Sequence, residues 1–382
     1  NRYFLDELTA VRELGKEFAE RNPRLAPFLA VEGQDPDVER LLEGFAFLTG
    51  RLRQKLDDEL PELTHSLMAL LWPQFLRPVP AMSVVGFNPL ATLSDRQRIR
   101  RGIEINSRPV DGTACVFRTC YDVDILPLRI TRVSRQQRPT GASVAIRLGL
   151  IGQSRWADLT LQQLRFFLHG EVHVAQLLYL WLFRYLDAVE IRALHDGDEL
   201  PVAQLDESAV LPVGFAPDQN LLPDSPHLLS GFRLIQEYYC LPEKFQFFDL
   251  QGLGCIRQRA QQNERIASAQ EIELVFHFSR PFDKHVNVSA DNFRLFCTPV
   301  VNLFRHDAIP VRADYKRTEY RVLPRGENPS HYEIFSIDRV QGWGHETRHN
   351  QLFQRFESFA HFDAVPVDNQ LRYYRERQKP SV

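Results

Sequence analysis

The sequence contains few cysteines and very few lysines. Its 382 residues include five cysteines, an odd number with no CxxC pair. That usage predicts reduced thiols in a cytosolic compartment rather than a disulfide framework. Only six of the 46 basic residues are lysine. Arginine forms the better ion pairs at desolvated protein interfaces, although genomic base composition produces the same bias, and we weigh the two explanations equally.

A strong charge of one sign and a long apolar run are also missing. The formal net charge of -3 argues against binding nucleic acid or a membrane surface. No run approaches the roughly 18 apolar residues that span a bilayer: the best candidate, Val174 to Phe183, is too short and is followed by Arg184. Nothing at the N-terminus resembles a signal peptide, although the chain opens on Asn1 and we expect a few residues to precede it. We therefore predict no direct membrane insertion.

The phosphate, dinucleotide and nucleophile motifs are absent as well. The sequence has no GxxxxGK[ST], no GxGxxG and no GxSxG. "QGLGC", from Gln251 to Cys255, has two glycines but no lysine for a phosphate and no helical pattern after it, so we interpret it as a turn. These absences predict a protein that is not an enzyme and holds no cofactor.

Two small groups of residues keep other functions open. His169 and His173 lie four apart, but Gly170 follows the first histidine where the zinc motif needs glutamate. Asp122 and Asp124 share one face of a predicted strand, which is more often a solvated face than a cation site. A metal-dependent hydrolase built on these four residues is one alternative. A ligand-binding β module is the other, with aromatic platforms drawn from the three tryptophans Trp156, Trp181 and Trp343.

The first eighty residues have helical periodicity. Apolar residues from Leu8 to Phe18 form one stripe, and that helix should end before Asn22-Pro23. Asp35 and Pro36 provide start signals for a second helix, which should run on past Asp57–Glu59 or break at Pro61. A third helical stretch, Leu63 to Phe75, should stop at Trp72-Pro73.

The second helix carries the most regular apolar pattern in the chain, which we name the 38–56 stripe. Its spacings of three and four residues are those of a coiled-coil-like contact. The stripe consists of Val38, Leu41, Leu42, Phe45, Leu48, Leu52 and Leu56. On pattern alone, we favour a helix that packs on its own domain, with a binding surface for another protein as the alternative.

After residue 80 the apolar period changes to two. Short strand-like runs follow, including "AVEIRAL", "EIELVFHF", "RLFCTPVVNLF" and "HYEIFSIDRV", and "HDGDEL" is predicted to be a hairpin turn. The predicted fold class is α+β, with an N-terminal helical arm followed by mixed β-rich domains. We place the arm at 1–80, a β-rich α+β domain at 81–225 and a second α+β domain at 226–382.

Several long stretches together resemble one family. "DPDVERLLEGFAFLTGRLRQKLDDELPELTHSLMALLWPQFLRPVPAM" is similar to the N-terminal signature of TssF, the type VI secretion baseplate subunit also called ImpG or VasA. "GTACVFRTCYDVDILPLRI", "EYYCLPEKFQFFDLQGL", "CTPVVNLF" and "YEIFSIDRV" follow in the order in which the family has them. The resemblance therefore covers most of the chain.

The resemblance implies a structural function. TssF proteins are wedge subunits of the cytoplasmic baseplate that nucleates the contractile tail, and no catalytic residue or cofactor belongs to the family. The implied partners are TssG, a second TssF copy, TssK, TssE and the spike hub. Family members also run beyond the point that corresponds to Val382, so we expect the second α+β domain to continue there.

With this family in view, we favour the partner-binding interpretation of the 38–56 stripe. We assign a secondary contribution to Trp72 and Phe75.

Overall fold

The structure is a computed structural model. It describes residues 2–24, 36–71, 77–138, 141–223, 230–282, 286–314, 316–326, 328–343, 350–356 and 372–376. The helices of these ranges are α1 (Arg2–Arg21), α2 (Pro36–Leu71), α3 (Val172–Arg184), α4 (Ser230–Cys240), α5 (Gly254–Gln262) and α6 (Glu264–Ala267).

The strands of the same ranges are mostly short. They are β1 (Met82–Gly86), β2 (Gln97–Ile99), β3 (Glu104–Asn106), β4 (Val116–Thr119), β5 (Val123–Ile125), β6 (Leu128–Arg138), β7 (Gly141–Leu150), β8 (Gln163–Leu168), β9 (Leu186–His195), β10 (Asp198–Asp206), β11 (Val210–Pro212), β12 (Phe247–Gln251), β13 (Glu271–Phe278), β14 (Phe293–Leu295), β15 (Cys297–Val301), β16 (Val340–Trp343), β17 (Asn350–Arg355) and β18 (Arg372–Tyr374).

The predicted α+β class is confirmed, and the chain forms two compact units. One unit comprises Asn1–Arg77 and Gln341–Val382, and the other comprises Pro78–Val340. The first contains α1, α2 and the sheet β16-β17-β18, in which β17 and β18 are parallel.

The second unit is built around a five-stranded antiparallel sheet in the order β10-β9-β13-β7-β6. Ile146, Leu274 and Ile191 stand opposite one another across three strands and are fully buried. The next position along β13, Glu273, faces Arg147 and Arg192. Because side chains alternate between the faces of a strand, one face of the sheet forms core and the other carries charge.

This sheet joins regions that the sequence analysis had separated. β13 pairs with β7 on one side and with β9 on the other, so the predicted boundary between 225 and 226 lies within one sheet. The structure also groups residues 341–382 with the helices rather than with residues 226–340. Long-range strand pairing of this kind leaves no mark in the local periodicity from which the boundaries at 80 and 225 were placed.

The two remaining four-stranded sheets have the orders β1-β15-β4-β3 and β11-β12-β8-β14. One residue, Phe296, separates β14 from β15 and has a φ of 56°. β14 pairs with β8, whereas β15 pairs with β1 and β4. The single run predicted at "RLFCTPVVNLF" is therefore two strands in two sheets, because one left-handed residue redirects the chain between them.

Local predictions succeeded where the turn chemistry was explicit. The hairpin of β9 and β10 turns at Asp196 and Gly197, which have φ values of 50° and 90°, as a two-residue turn with positive φ requires. The predicted strand "HYEIFSIDRV" was wrong over 331–339, where the chain is irregular and only Val340 enters β16. "QGLGC" was also misread, since α5 starts at Gly254.

The helices follow the start and stop signals only in part. α1 ends at Arg21, just before Asn22-Pro23, as predicted. α2 runs through Pro61 to Leu71, so the second and third predicted helices are one helix of 36 residues. At about 1.5 Å per residue, α2 is roughly 54 Å long and α1 roughly 30 Å.

Candidate protein-binding surface

The helices α1 and α2 form an antiparallel hairpin. Arg12 forms an ion pair with Glu39 near the start of α2, and Arg53 Nη1 donates to Glu7 Oε1 at 2.7 Å about four turns later. The Phe4 and Phe47 rings meet edge to face with their centroids 6.5 Å apart. The beginning of α1 therefore lies beside residues 47–53, while α2 continues beyond it.

Small residues allow the two helices to approach closely. Ala46 and Gly50, one turn apart on α2, are buried. A Cβ at Gly50 would lie 3.1 Å from the backbone nitrogen of Phe4, so a side chain there would push α1 away by a few tenths of an ångström. Leu8 packs into the same contact and is buried. The face of α2 that contacts α1 is thus centred on Ala46 and Gly50.

Most of the 38–56 stripe lies on a different side of α2. Five of its members are between 57% and 73% exposed, and Val38 and Leu42 are half-buried. At 3.6 residues per turn, the exposed members are centred about a third of a turn from Ala46. They are Leu41, Phe45, Leu48, Leu52 and Leu56. The pattern therefore does not serve the contact between the chain's own two helices.

The hairpin exposes further apolar side chains. On α1 these are Leu5, Leu14 and Phe18, and on α2 they include Leu67. The sequence analysis did not assign Leu67 to the stripe, although it lies eleven residues, about three turns, after Leu56. Trp72 and Phe75, predicted as secondary contacts, lie outside the described residues.

Burial of the stripe would release substantial free energy. Burying a complete Leu or Phe side chain gains about 1.5–3 kcal/mol, so the exposed part of each of the five could contribute about 1–2 kcal/mol. A contiguous exposed apolar surface on a protein commonly marks an interaction site. The exposed apolar side chains therefore suit the hairpin to binding an apolar surface of another protein.

The residues of the enzyme alternative do not form a reactive site in the structure. Asp122 accepts hydrogen bonds from the backbone nitrogen of Arg101 at 2.7 Å and from Arg98 Nη2 at 2.5 Å, which lower its pKa. Asp124 Oδ1 lies 3.3 Å from Arg96 Nε. Both carboxylates are therefore held as partners of arginine.

These aspartates line a cleft of about 340 Å³. Arg165, which also lines the cleft, makes two hydrogen bonds of 2.7 Å to the Asp249 carboxylate. Burial raises the pKa of Cys120 and of Cys297 to about 11, so both stay neutral thiols at neutral pH. The described lining of the cleft offers no activated nucleophile.

The two histidines lie on different elements. His169 follows β8, and its Nδ1 lies 3.2 Å from the carbonyl oxygen of Asp291, while His173 is exposed on α3. In the described ranges, no three His, Cys, Asp or Glu side chains are placed to share a metal ion.

Trp156, Trp181 and Trp343, the residues of the ligand-binding alternative, have different surroundings. Trp156 is fully buried and its Nε1 donates to the carbonyl oxygen of Ala269 at 3.0 Å. Trp181 is also buried and stacks on Phe282. Trp343 is exposed and belongs to the other compact unit.

A comparison with known protein families matches the whole chain. The family described as "Type VI secretion system, TssF" matches residues 1–382. The chain belongs to the TssF family. Among individual TssF proteins, "Type VI secretion system component TssF1" of Pseudomonas aeruginosa is 33% identical over 403 aligned residues. The alignment covers 100% of the chain and 63% of that relative.

A solved structure supports the same relationship. One chain of the "type VI secretion system TssK-TssF-TssG baseplate subcomplex", determined by cryo-electron microscopy, aligns with a TM-score of 0.73 and 34% identity. The alignment covers 90% of the chain and 63% of the matched one. The chain therefore spans less than two thirds of the length of these TssF relatives.

A helix that crosses a membrane has to be both long and apolar. None in the described part of the chain is both long and apolar enough to cross a membrane.

Proposed function

We propose that the chain is a structural subunit of the type VI secretion baseplate wedge and that the 38–56 stripe binds the helices of a partner. The observation that carries this proposal is the exposure of Leu41, Phe45, Leu48, Leu52 and Leu56 away from α1. Membership of the TssF family supports the baseplate assignment.

The partners are part of the proposal. The matched solved structure is a subcomplex of TssK, TssF and TssG, which favours TssG and TssK as partners of this chain. We further propose contacts with a second copy of the chain, with TssE and with the spike hub, as the resemblance to the family implies. The helical hairpin is the surface we assign to TssG.

The proposed role requires neither catalysis nor a cofactor. The exposed apolar side chains of the hairpin are suited to assembly, whereas Asp122 and Asp124 are paired with arginine. We place the protein in the cytoplasm, where the baseplate docks at the inner-membrane complex, and its free cysteines are compatible with that compartment.

The test is a double substitution, Phe45→Asp with Leu48→Asp, in the chain co-expressed with TssG. Both side chains are exposed, so the free chain should keep its fold, while two carboxylates in an apolar interface should abolish co-purification. A matched control is Leu90→Asp with Val110→Asp, which changes two equally exposed apolar residues in the other unit. The control should co-purify like the unchanged chain.

The mass of the purified complex checks the number of copies. We expect two copies of the chain for each TssG. Unchanged co-purification of the Phe45 and Leu48 variant would contradict the proposal. So would loss of its circular dichroism signal, because the stripe would then belong to the chain's own core.

A further inference from the structure

The helix α4 has its apolar and polar faces reversed relative to an ordinary surface helix. Arg233 and Glu237 are buried, whereas Ile235 is 54% and Tyr239 is 82% exposed. A surface helix normally turns its apolar stripe toward the core and its charges toward water. α4 does the opposite, so its orientation is not explained by burial of apolar surface.

A buried ion pair fixes this orientation. The Glu237 carboxylate accepts hydrogen bonds from the backbone nitrogens of Leu221, at 2.7 Å, and of Leu222, at 3.2 Å. It also pairs with the Lys244 ammonium, and both charged side chains are fully buried. Rotating α4 to bury Ile235 and Tyr239 would remove Glu237 from these donors and leave Lys244 buried without its counter-charge. The apolar side of α4 is therefore held toward solvent.

The exposed side of α4 continues into a neighbouring aromatic group. The Tyr238 and Phe245 ring centroids are 5.9 Å apart, and those of Phe215 and Phe245 are 5.0 Å apart. Tyr239 lies against Tyr238 with a centroid distance of 5.9 Å. We name this surface the α4 face. It consists of Phe215, Phe232, Ile235, Tyr238 and Tyr239.

The chemistry of the α4 face restricts what can cover it. None of its five side chains is charged, so it complements a neutral, apolar surface. Phe232, Ile235 and Tyr239 are spaced three and four residues apart, which is the ridge pattern that packs against a second helix. Exposed aromatic residues of this kind are frequent anchors of protein interfaces.

The size of the α4 face indicates how it is used. Four of the five side chains are about half exposed and Tyr239 is 82% exposed, so together they offer on the order of 500 Å². A stable interface between two free proteins needs about 800 Å² from each partner. The α4 face is thus too small to form a dimer by itself and suits a second contact with a protein that is already held elsewhere.

We infer that the α4 face is a second docking surface, which receives a neutral aliphatic helix of a partner subunit already bound through the 38–56 stripe. This inference rests on the proposed function, since the stripe supplies the first contact. It adds a separate surface in the unit Pro78–Val340.

The experiment places the photo-crosslinking amino acid p-benzoylphenylalanine at position 239 of the chain, in its complex with TssG and TssK. Mass spectrometry of the irradiated complex should find a crosslink to aliphatic residues on one helix of TssG, the subunit that the 38–56 stripe is proposed to bind. The same amino acid at position 90 is the matched control, because Leu90 is similarly exposed. The control should not crosslink to that helix.

A pair of variants measures the contribution to binding. Ile235→Lys with Tyr239→Lys should raise the dissociation constant of the complex roughly tenfold or more, as loss of interface anchors does. Leu90→Lys with Val110→Lys should leave it unchanged. Both side chains of each pair are exposed, so equal thermal unfolding of the free variants checks that the fold is kept.

The outcomes separate the two proposals. A complex that forms through the 38–56 stripe but gives no crosslink from position 239 overturns the docking surface alone. A crosslink to residues 224–229 of the same chain, or to a second copy, also overturns it, because the occupant is then not the partner helix. If the unchanged chain binds neither TssG nor TssK, both proposals are overturned.

Discussion

At the scale of single residues, several charged side chains in this protein are paired with one another. Glu190 illustrates this on the charged face of the five-stranded sheet. Arg192 donates two hydrogen bonds of 2.7 Å to its carboxylate, and His277 Nε2 lies 3.1 Å from Glu190 Oε2. The hydrogen bonds from Arg192 are the largest cause that lowers the Glu190 pKa from 4.5 to about 2. This pairing stabilises the fold and keeps the Glu190 carboxylate ionised at neutral pH.

The lowered pKa of Glu190 predicts how its contribution to stability changes with pH. A carboxylate with a pKa below its unfolded value stabilises the fold at pH values above the unfolded pKa, and this is lost as pH falls toward the folded pKa. Glu190→Gln should therefore unfold at lower urea than the unchanged chain at pH 7. The difference should shrink from about pH 4.5 downward and vanish near pH 2. Urea titrations at several pH values measure it, and a difference that grows in acid would contradict the assignment.

At the scale of elements, the two glycines of α2 have opposite surroundings. A Cβ added at Gly44 would have nothing within 4 Å, whereas one at Gly50 would press on the backbone of Phe4. Glycine costs about 0.5–1 kcal/mol relative to alanine inside a helix. Gly44→Ala should therefore stabilise α2 by about that amount. Gly50→Ala should instead loosen the hairpin, because α1 has to move away.

Hydrogen exchange of the α1 amides distinguishes these two substitutions. Exchange should be faster than in the unchanged chain for Gly50→Ala, and no faster for Gly44→Ala. Each variant is the control for the other, since the chemical change is identical. Equal protection of α1 in the two variants would mean that Gly50 is not the contact point of the hairpin.

The elements also show what sequence patterns can and cannot predict. α1, the β9–β10 hairpin and the apolar spacing of the 38–56 stripe were predictable, because each depends on residues near one another in sequence. The direction of the stripe was not, since it depends on the small size of Ala46 and Gly50, which draws α1 to another side of α2. The α4 face was missed for a similar reason. Amphipathic spacing indicates that a helix has an apolar and a polar face. Only the distant hydrogen-bond partners of Glu237 show that the polar face of α4 is the buried one.

At the scale of the whole molecule, long-range pairing decides the organisation. The alternation of β13 identified it as a strand. It did not show that both of its neighbours, β7 and β9, would come from the other side of the predicted boundary at 225. Of the two outcomes predicted for α2, the helix runs on past Asp57–Glu59 and does not break at Pro61. A proline in a long helix removes one hydrogen bond while the rest of the helix persists. Each of the two units nevertheless presents apolar side chains to solvent.

This uncovered surface has a consequence for synthesis of the protein in the cell. Chaperones and proteases recognise exposed apolar side chains, so a copy without the proposed partners should be short-lived. Pulse-labelling should show a longer half-life when TssG is co-expressed, and Phe45→Asp with Leu48→Asp should remove that dependence on TssG. A half-life that is the same with and without TssG would contradict this expectation. If the half-life does depend on TssG, degradation of surplus copies keeps the subunits in proportion without a dedicated regulator.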